Sequence, residues 1–467
     1  MFTIYHPELA ETARSLRDRH RAFLAGEWDD ERLARHQADL LRKTVSYVKE
    51  RSPFYRRRLE GFSEDDDLAT LPFTTKQDLR DAQFDMLSRP MHEAWIFYET
   101  TGTTGRATPC PRDDNDSLHN NTVLTAYYET VFAQFGDAQV VGVSGPTELH
   151  ATGDTFGDVC RNLGIAVAKM WPHSPMIGFD RALEVMRMLP VTGLFCTPGM
   201  ALSLAKKARE AGLDPAADFS LDVLMLTGEL ASPSLLAGIG SLWGARAYNC
   251  LYASQEASVL AAAGADGGLY TAPLINHYEV IDPVTLRAAP ADGAGVRQGE
   301  LVVTNLYQGA KPLVRYRTGD MVRLHPADPG SSIPAPRLEV LGRVGDQIVL
   351  NGHSVTGYDL ENLLLRHVRG FLDYQIRLES TPYGDDRVNL LLHGASGDDP
   401  GLSLAKEECR ELLETELVIS FGDPGSITST GAMVSWKAAR VVDGREDTGA
   451  GDDREARAAL ALAARRG

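Results

Sequence analysis

The sequence has 467 residues, of which 43% are hydrophobic and 24% charged, values typical of a globular protein that buries a core. Its length predicts about two to four domains. The net charge of −17 argues against a nucleic-acid-binding surface and against binding to anionic membranes, because both need basic patches. The charge does not exclude a nucleotide ligand, since phosphate sites are local arrangements of backbone N–H groups, metal and a few cations.

The cysteines and the first residues indicate a cellular compartment. The five cysteines are far apart and never spaced as C-x-x-C, which predicts neither a disulfide framework nor a zinc site. Charges are scattered through the first twenty residues, and no run of about 18 apolar residues occurs. We therefore expect a cytoplasmic protein with reduced thiols, without a signal peptide or a membrane span.

The first elements in chain order are helical. Residues 1–60 place apolar side chains at helical spacing. Residues 71–79 predict a loop that enters a helix, with Thr74 or Thr75 as the N-cap.

The middle of the chain alternates between two patterns. Short apolar runs predict strands at 139–143, 193–196 and 223–226, and helical stretches lie between them. This alternation predicts a parallel α/β organisation. Residues 276–325 alternate like antiparallel strands, including Pro312 to Tyr316.

A domain boundary is predicted near residues 341–346, after a Pro- and Ser-rich stretch. We predict an α/β fold with a large N-terminal domain, residues 1–342, and a small α+β C-terminal domain, residues 343–467. The large domain would combine parallel α/β sheets with a small antiparallel, barrel-like part.

The most informative segment contains four threonines and two glycines in six consecutive positions: Thr100, Thr101, Gly102, Thr103, Thr104 and Gly105. Glycines let a backbone approach a phosphate closely, and hydroxyls and amides can donate hydrogen bonds to its oxygens. The segment is not a Walker loop, because G-x-x-x-x-G-K-[ST] is absent. A Thr/Gly turn without a ligand is the alternative, and this segment alone does not decide between them.

Three later segments add to this evidence. Gly228 and Glu229 follow an apolar run, and such a strand end at the carboxyl edge of a parallel sheet is a ligand crevice. Tyr252 could stack on a purine, and Glu256 could hold Mg²⁺. Asp320 suits a diol, because one carboxylate can accept hydrogen bonds from two hydroxyls. Taken singly, each segment also fits a plain turn or a helix start.

In this order the segments resemble the adenylate-forming superfamily of acyl-CoA synthetases, luciferases and peptide-synthetase adenylation domains. The chain is most similar to its phenylacetate–coenzyme A ligase branch, through residues 52–55, 71–80 and 196–199. The similarity extends from about residue 40 to residue 443.

The resemblance implies how a nucleotide would bind. Residues 100–105 would wrap the phosphates of ATP. Gly228 and Glu229 would border the adenine, and Tyr252 would stack on it. Asp320 would bind the ribose hydroxyls, with Arg343 nearby.

The resemblance also implies the chemistry. Thr104 and Glu256 would help to hold Mg²⁺, and Lys437 would be the catalytic lysine, although outside this context a solvated lysine is the better interpretation. An acid would become acyl-AMP with release of pyrophosphate. The mobile C-terminal domain would then turn about Gly345 and Asp346, and the acyl group would pass to coenzyme A or to the phosphopantetheine of a carrier protein. The branch suggests a homodimer.

The sequence indicates less clearly which carboxylic acid would be the substrate. Tyr127, Tyr128 and Phe156 suit a flat aromatic acid and suit a hydrophobic core equally well. His150 and Asp154 hint at a polar substituent on the ring.

Three hypotheses follow for the function. The first is an aryl-CoA ligase. The second is an aryl-AMP ligase that loads a carrier protein or uses another nucleophile. The third is a nucleotide-binding protein that has lost catalysis, which Cys250 and Ala253 favour because they depart from the family pattern. The third hypothesis is opposed by the joint retention of Glu256, Asp320, Arg343 and Lys437.

Overall fold

The computed structural model describes residues 6–63, 65–100, 106–381, 385–424 and 440–445. None of the described helices combines the length and the apolar character that crossing a membrane requires. The helices of these residues are α1 (Pro7–Leu24), α2 (Asp30–Arg51), α3 (Pro53–Arg58), α4 (Lys76–Ala82), α5 (Asp114–Phe132), α6 (Thr152–Asn162), α7 (Gly178–Met188), α8 (Pro198–Glu210), α9 (Pro233–Trp243), α10 (Gly357–Leu365) and α11 (Gly401–Leu413).

The strands fall into one large sheet, one smaller sheet and two hairpins. They are β1 (Ile96–Glu99), β2 (Pro109–Arg112), β3 (Val140–Val143), β4 (Ala166–Lys169), β5 (Gly193–Cys196), β6 (Val223–Thr227), β7 (Arg246–Ser254), β8 (Ser258–Ala263), β9 (Leu269–Thr271), β10 (Asn276–Ile281), β11 (Arg297–Asn305), β12 (Tyr316–Ala327), β13 (Pro336–Arg343), β14 (Ile348–Leu350), β15 (His353–Val355), β16 (Asp373–Ser380), β17 (Asp386–His393), β18 (Glu416–Phe421) and β19 (Val441–Asp443).

Among the described residues, eleven strands form one mixed sheet in the order β10-β11-β12-β13-β9-β8-β7-β6-β5-β3-β4. Strands β4, β3, β5, β6 and β7 pair in parallel. The predicted α/β organisation is therefore confirmed, and the apolar runs at 193–196 and 223–226 are the wholly buried strands β5 and β6. Strands covered on both faces need such continuous apolar sequences.

The antiparallel strands continue the same sheet. Strands β8 to β13 pair antiparallel, and β10, β11 and most of β12 lie in the stretch 276–325 that the sequence predicted to be antiparallel. The prediction of a strand over Pro312 to Tyr316 was wrong about where the strand begins, because β12 begins at Tyr316. Arg315 has a φ of +45°, so its backbone departs from the extended conformation of a strand. Its guanidinium binds the carboxylate of Glu279 at 2.7 Å and the carbonyl oxygen of Leu71 at 2.6 Å.

Helix α4 begins where the sequence predicts, with Thr75 as its N-cap. Thr75 Oγ1 accepts a hydrogen bond from the Asp78 backbone N–H at 3.2 Å, and the Asp78 carboxylate accepts one from the Thr75 N–H at 2.8 Å. This reciprocal pair is a capping box. Thr74 is buried and instead donates its hydroxyl to the carbonyl oxygen of Val314 at 2.8 Å. The cap fixes Lys76 as the first residue of the helix.

The C-terminal part, meaning the described residues after Gly342, contains the sheet β18-β17-β16-β19 with α10 and α11. Its core is continuous with that of the large sheet. Leu360 and Leu364 of α10 lie in the same buried cluster as Leu235 and Ile239 of α9. The division of the chain at residue 342 stays a prediction.

Candidate active site at the carboxyl edge of the sheet

The parallel strands end at an edge where several predicted residues meet. Gly228 follows β6 with a φ of +88°, a conformation that favours glycine. The next residue, Glu229, accepts a hydrogen bond from the Gly199 backbone N–H at 3.0 Å. Gly199 lies in the first turn of α8, where the helix dipole favours a negative charge. The structure thus places both predicted residues at the carboxyl edge, where ligands bind in open α/β sheets.

Three residues predicted separately form one network beside this edge. The Tyr252 hydroxyl donates to Asp320 Oδ2 at 2.7 Å, and Arg343 Nη1 lies 3.1 Å from Asp320 Oδ1. Asp320 and Arg343 are direct partners across β12 and β13. Burial, together with the charge of Asp320, raises the pKa of Tyr252 well above its ordinary value, so its hydroxyl keeps the proton that it donates. A carboxylate is therefore held between a phenol and a guanidinium.

A buried carboxylate that the sequence analysis did not single out shapes the turn before Asp320. Glu300 is 1% exposed and accepts from Arg317 Nη2 at 2.6 Å and from the Gly319 N–H at 3.2 Å. Gly319 has a φ of +73°. An acidic residue at the start of the apolar run 301–303 was the signal that could have identified it, because a charge in such a strand needs a partner.

Glu256 lies in a buried pocket of positive charge. The carboxylate oxygen Oε1 accepts from the Tyr316 hydroxyl at 3.0 Å and lies 3.5 Å from Lys76 Nζ. Burial alone would raise the pKa of Glu256. The charges of Lys76 and Lys311 and the hydrogen bonds to the carboxylate outweigh burial and hold the pKa below its ordinary value. Glu256 is therefore ionised at neutral pH although only 9% of its surface is exposed.

An ionised Glu256 fits a magnesium ion that is shared with phosphates. The hydrogen bond from Tyr316 and the contact with Lys76 are both made with Oε1. Mg²⁺ is commonly held by one or two carboxylates plus substrate phosphates, so one protein carboxylate is enough. Among the residues that the structure describes, no cluster of three or more His, Cys, Asp or Glu could hold a metal by itself. A metal here would depend on the phosphates.

The predicted phosphate loop lies between β1 and β2 in the sequence, and hydrogen bonds join the two strands' ends at its base. The Thr100 N–H donates to the carbonyl oxygen of Thr108 at 3.1 Å, and the Thr108 N–H donates to Thr100 Oγ1 at 2.9 Å. The buried Lys311 ammonium donates to the carbonyl oxygen of Pro109 at 2.7 Å and supports the strand that leaves the loop. The predicted residues Thr101, Gly102, Thr103, Thr104 and Gly105 lie outside the described residues, as does Lys437.

The aromatic residues considered for an acid pocket belong to the core. The Tyr127 hydroxyl donates to the carbonyl oxygen of Thr271 at 2.8 Å, and both Tyr127 and Tyr128 are buried. Phe156 stacks on Phe195 with ring centroids 4.1 Å apart. Asp154 is engaged by Lys169 Nζ at 2.9 Å and by the Tyr98 hydroxyl at 3.2 Å, so it does not indicate a polar substituent on a substrate.

Cys250 also belongs to the core. The alternating burial of β7 puts Tyr248 and Cys250 on its buried face and Asn249 on the opposite face. Cys250 is 0% exposed, and its carbonyl oxygen accepts from the Tyr128 hydroxyl at 2.9 Å. The Cys250 thiol is therefore not available to contact an adenine, and the departure from the family pattern at this position is a core substitution.

Comparisons with known proteins find relatives of the chain and solved structures that share its fold. No protein-family model matches the chain. The phenylacetate–coenzyme A ligase of Pseudomonas putida is 29% identical over 361 residues, covering 74% of this chain and 78% of that protein. The phenylacetate–coenzyme A ligase of Aromatoleum evansii is 26% identical over 431 residues, covering 88% and 94%.

Solved structures share the fold. The 2-hydroxyisobutyryl-CoA ligase in the postadenylation state, in complex with 2-HIB-AMP, has a TM-score of 0.71 at 22% identity, covering 91% of this chain and 92% of that one. The same ligase with 2-HIB-AMP and CoA in the thioesterification state has a TM-score of 0.62 at 22% identity, covering 91% and 93%. The resemblance predicted from the sequence is confirmed.

Proposed function

We infer that the chain is an adenylate-forming enzyme of the phenylacetate–coenzyme A ligase-like branch. We propose that it activates a carboxylic acid with ATP, releases pyrophosphate, and passes the acyl group from AMP to coenzyme A. The observation that carries this proposal is the network of Tyr252, Asp320 and Arg343 at the carboxyl edge of the sheet. It offers an aromatic face and a carboxylate acceptor at the edge of the sheet where nucleotides bind.

The nucleotide would be held by groups that the structure already orients. The ring of Tyr252 is fixed through its hydroxyl and can stack on the adenine, with Gly228 and Glu229 along its border. The Asp320 carboxylate can accept from both ribose hydroxyls, because Tyr252 and Arg343 fix its plane. The phosphates would lie against residues 100–105, and the hydrogen bonds between Thr100 and Thr108 join the start of this segment to the chain that follows it.

In the first step, an oxygen of the acid attacks the α-phosphorus of ATP, a new P–O bond forms, and the bond to pyrophosphate breaks. The protein positions the two reactants and stabilises the negative charge that develops. We propose that Lys437 places its ammonium beside the acid and the α-phosphate. Glu256 and Thr104 would hold Mg²⁺, which when bound neutralises charge on the phosphates.

In the second step, the C-terminal part would turn so that a thiol reaches the acyl adenylate. Gly345 has a φ of +92°, a conformation that favours glycine, and lies two residues after the end of β13. We place the hinge at Gly345 and Asp346. The thiol of coenzyme A would then attack the acyl carbon and release AMP. A carrier-protein acceptor, a homodimer and a cytoplasmic location remain proposals from the sequence.

The acid that we propose is an aromatic or arylacetic acid, because the relatives of this chain are phenylacetate–coenzyme A ligases.

The test of the proposed function is acid-dependent ATP–pyrophosphate exchange with phenylacetic, benzoic, anthranilic, hydroxybenzoic and cinnamic acids. We expect one class of acid to support exchange and coenzyme A to convert that acid to its thioester. ATP binding without exchange for any acid would instead support a nucleotide-binding protein that has lost catalysis. Acyl transfer to a carrier protein but not to coenzyme A would favour a carrier-loading ligase.

Replacing Lys76 by methionine is expected to move the acidic limb of the exchange–pH profile to higher pH. The folded-state pKa of Glu256 is depressed, so the charge of Glu256 is present above that pKa and is lost as pH falls through it. Without the ammonium 3.5 Å away, burial dominates and the pKa rises. On the acidic limb, a tenfold rise in the proton affinity of Glu256 lowers exchange about tenfold. Lys43→Met, which removes an exposed lysine of α2, is the control, and an unmoved limb in Lys76→Met would contradict the assignment.

A further inference from the structure

The C-terminal part docks against the carboxyl edge through buried polar contacts. The Ser232 N–H, at the start of α9, donates to Glu361 Oε1 of α10 at 3.0 Å. The second oxygen of Glu361 accepts from the Tyr374 hydroxyl at 2.6 Å, and Glu361 is 1% exposed. This end of α9 thus depends on a carboxylate from the C-terminal part, which specifies one docked arrangement.

Arg440 lies in the same interface. Its side chain is 8% exposed, and its Cζ atom lies 4.7 Å from the centre of the Tyr374 ring. Nη1 donates to the Asp373 carboxylate and to the carbonyl oxygen of Tyr374, the latter at 3.1 Å. The guanidinium is therefore fixed from the C-terminal side by three groups of β16.

The other side of Arg440 faces Glu229. A Cβ atom placed on Gly199 would lie 3.0 and 3.2 Å from the two oxygens of Glu229 and 3.4 Å from Arg440 Nη2. The carboxylate and the guanidinium thus lie on either side of the space above Gly199, close enough for their charges to interact. Burial acts to lower the pKa of Arg440, but its interactions with Tyr374, Asp373 and Glu229 outweigh burial and raise it.

We propose that Arg440 is a positioning residue that docks the C-terminal part at the carboxyl edge, through Glu229, in the arrangement used for adenylation. This inference rests on the proposed function. Two residues separate Arg440 from Lys437, so their Cα atoms are three steps of chain apart, at most about 11 Å. Anchoring Arg440 beside Glu229 therefore limits how far the backbone at Lys437 can lie from the nucleotide edge.

A charged contact suits a domain that must dock and leave. Two opposite charges that approach each other in a partly buried site add little net stability over packed apolar groups, because both lose hydration. When the C-terminal part turns away, Arg440 keeps Asp373 and Tyr374, and Glu229 keeps the Gly199 N–H. Each charged group thus keeps a partner whether or not the C-terminal part is docked. An apolar contact would instead expose its surface to water when the C-terminal part turns away.

The test separates the two half-reactions in Arg440→Met and in the matched control Arg445→Met. Arg445 pairs with Asp386 and Asp443 inside the C-terminal part. We expect Arg440→Met to lower ATP–pyrophosphate exchange by about 10- to 100-fold, the loss that a small misplacement of a catalytic group causes. Acyl transfer from supplied acyl-AMP to coenzyme A should stay within about twofold of wild type, a difference of about 0.4 kcal/mol. Arg445→Met should leave both half-reactions unchanged.

A second variant avoids leaving buried carboxylates unpaired. Gly199→Ala retains every charge but pushes a methyl group between Glu229 and Arg440, so exchange should again fall while transfer is spared. Equal loss of both half-reactions in Arg440→Met and Gly199→Ala, or no loss of either, would overturn the proposal.

Hydrogen–deuterium exchange tests docking without any catalytic readout. In Arg440→Met, the amides of residues 231–235 and 357–365 should exchange faster, while those of β17 should not change. Unchanged protection at both segments would refute docking by Arg440. If the wild type shows no acid-dependent exchange at all, the proposed function fails, and amide exchange still decides whether Arg440 docks the C-terminal part.

Discussion

Replacing Asp320 by alanine is expected to raise the KM for ATP by about 10- to 100-fold and to change kcat much less. The Asp320 carboxylate is already positioned by Tyr252 at 2.7 Å and by Arg343 at 3.1 Å, so it can accept from the ribose without reorganising. A hydrogen bond to a charged group contributes about 1.5–3 kcal/mol. The ribose is remote from the reacting phosphorus, so the loss falls equally on the ground state and the transition state and appears in KM.

The measurement is initial rates of acid-dependent pyrophosphate release over a range of ATP concentrations. Asp320→Asn is the informative partner, because it keeps an oxygen for Tyr252 but removes the charge that faces Arg343. It should show an intermediate KM. Asp282→Ala, which removes a carboxylate from the turn after β10, serves as the control. A loss confined to kcat in Asp320→Ala would place this residue at the chemistry and not at the ribose.

Local features of the fold were predictable wherever the sequence carries a local cause. The capping box of α4 follows from Thr75 and Asp78, which are three residues apart. The parallel strands follow from apolar runs such as 223–226, which only a strand covered on both faces requires. Arg315 was misplaced because its alternating neighbours indicate a strand. Its long-range bonds to Glu279 and Leu71 instead draw the backbone out of the sheet.

The candidate site was predictable only as separate pieces. Tyr252 and Asp320 were each identified from residue type and order, but their hydrogen bond joins residues 68 positions apart. The contact between Lys76 and Glu256 depends on how α4 packs near β12, which no local pattern encodes. The role of Arg440 was not predicted, because no local pattern in the sequence shows that its side chain is buried. It is buried only because β16 and the carboxyl edge enclose it.

Replacing Lys437 by alanine is expected to lower kcat for acid-dependent exchange by about 10²–10³-fold and to leave the KM for ATP nearly unchanged. One well-placed cation contributes about 3–4 kcal/mol to a transition state in which charge develops. The nucleotide is held by the network of Tyr252, Asp320 and Arg343. Lys437 is proposed to act only where the acid meets the α-phosphate.

Lys437→Ala and Asp320→Ala should therefore separate chemistry from nucleotide binding. Lys437→Ala should also transfer acyl groups from supplied acyl-AMP to coenzyme A at the wild-type rate, because the lysine is proposed to leave the site before the thiol attacks. Lys406→Ala, on the exposed face of α11, is the control. If Lys437→Ala raised the KM for ATP as Asp320→Ala does, or slowed transfer as much as exchange, the lysine would be a nucleotide-binding residue. The cation that stabilises the first transition state would then have to be sought among Lys76, Lys311 and Arg343, which already lie near Glu256.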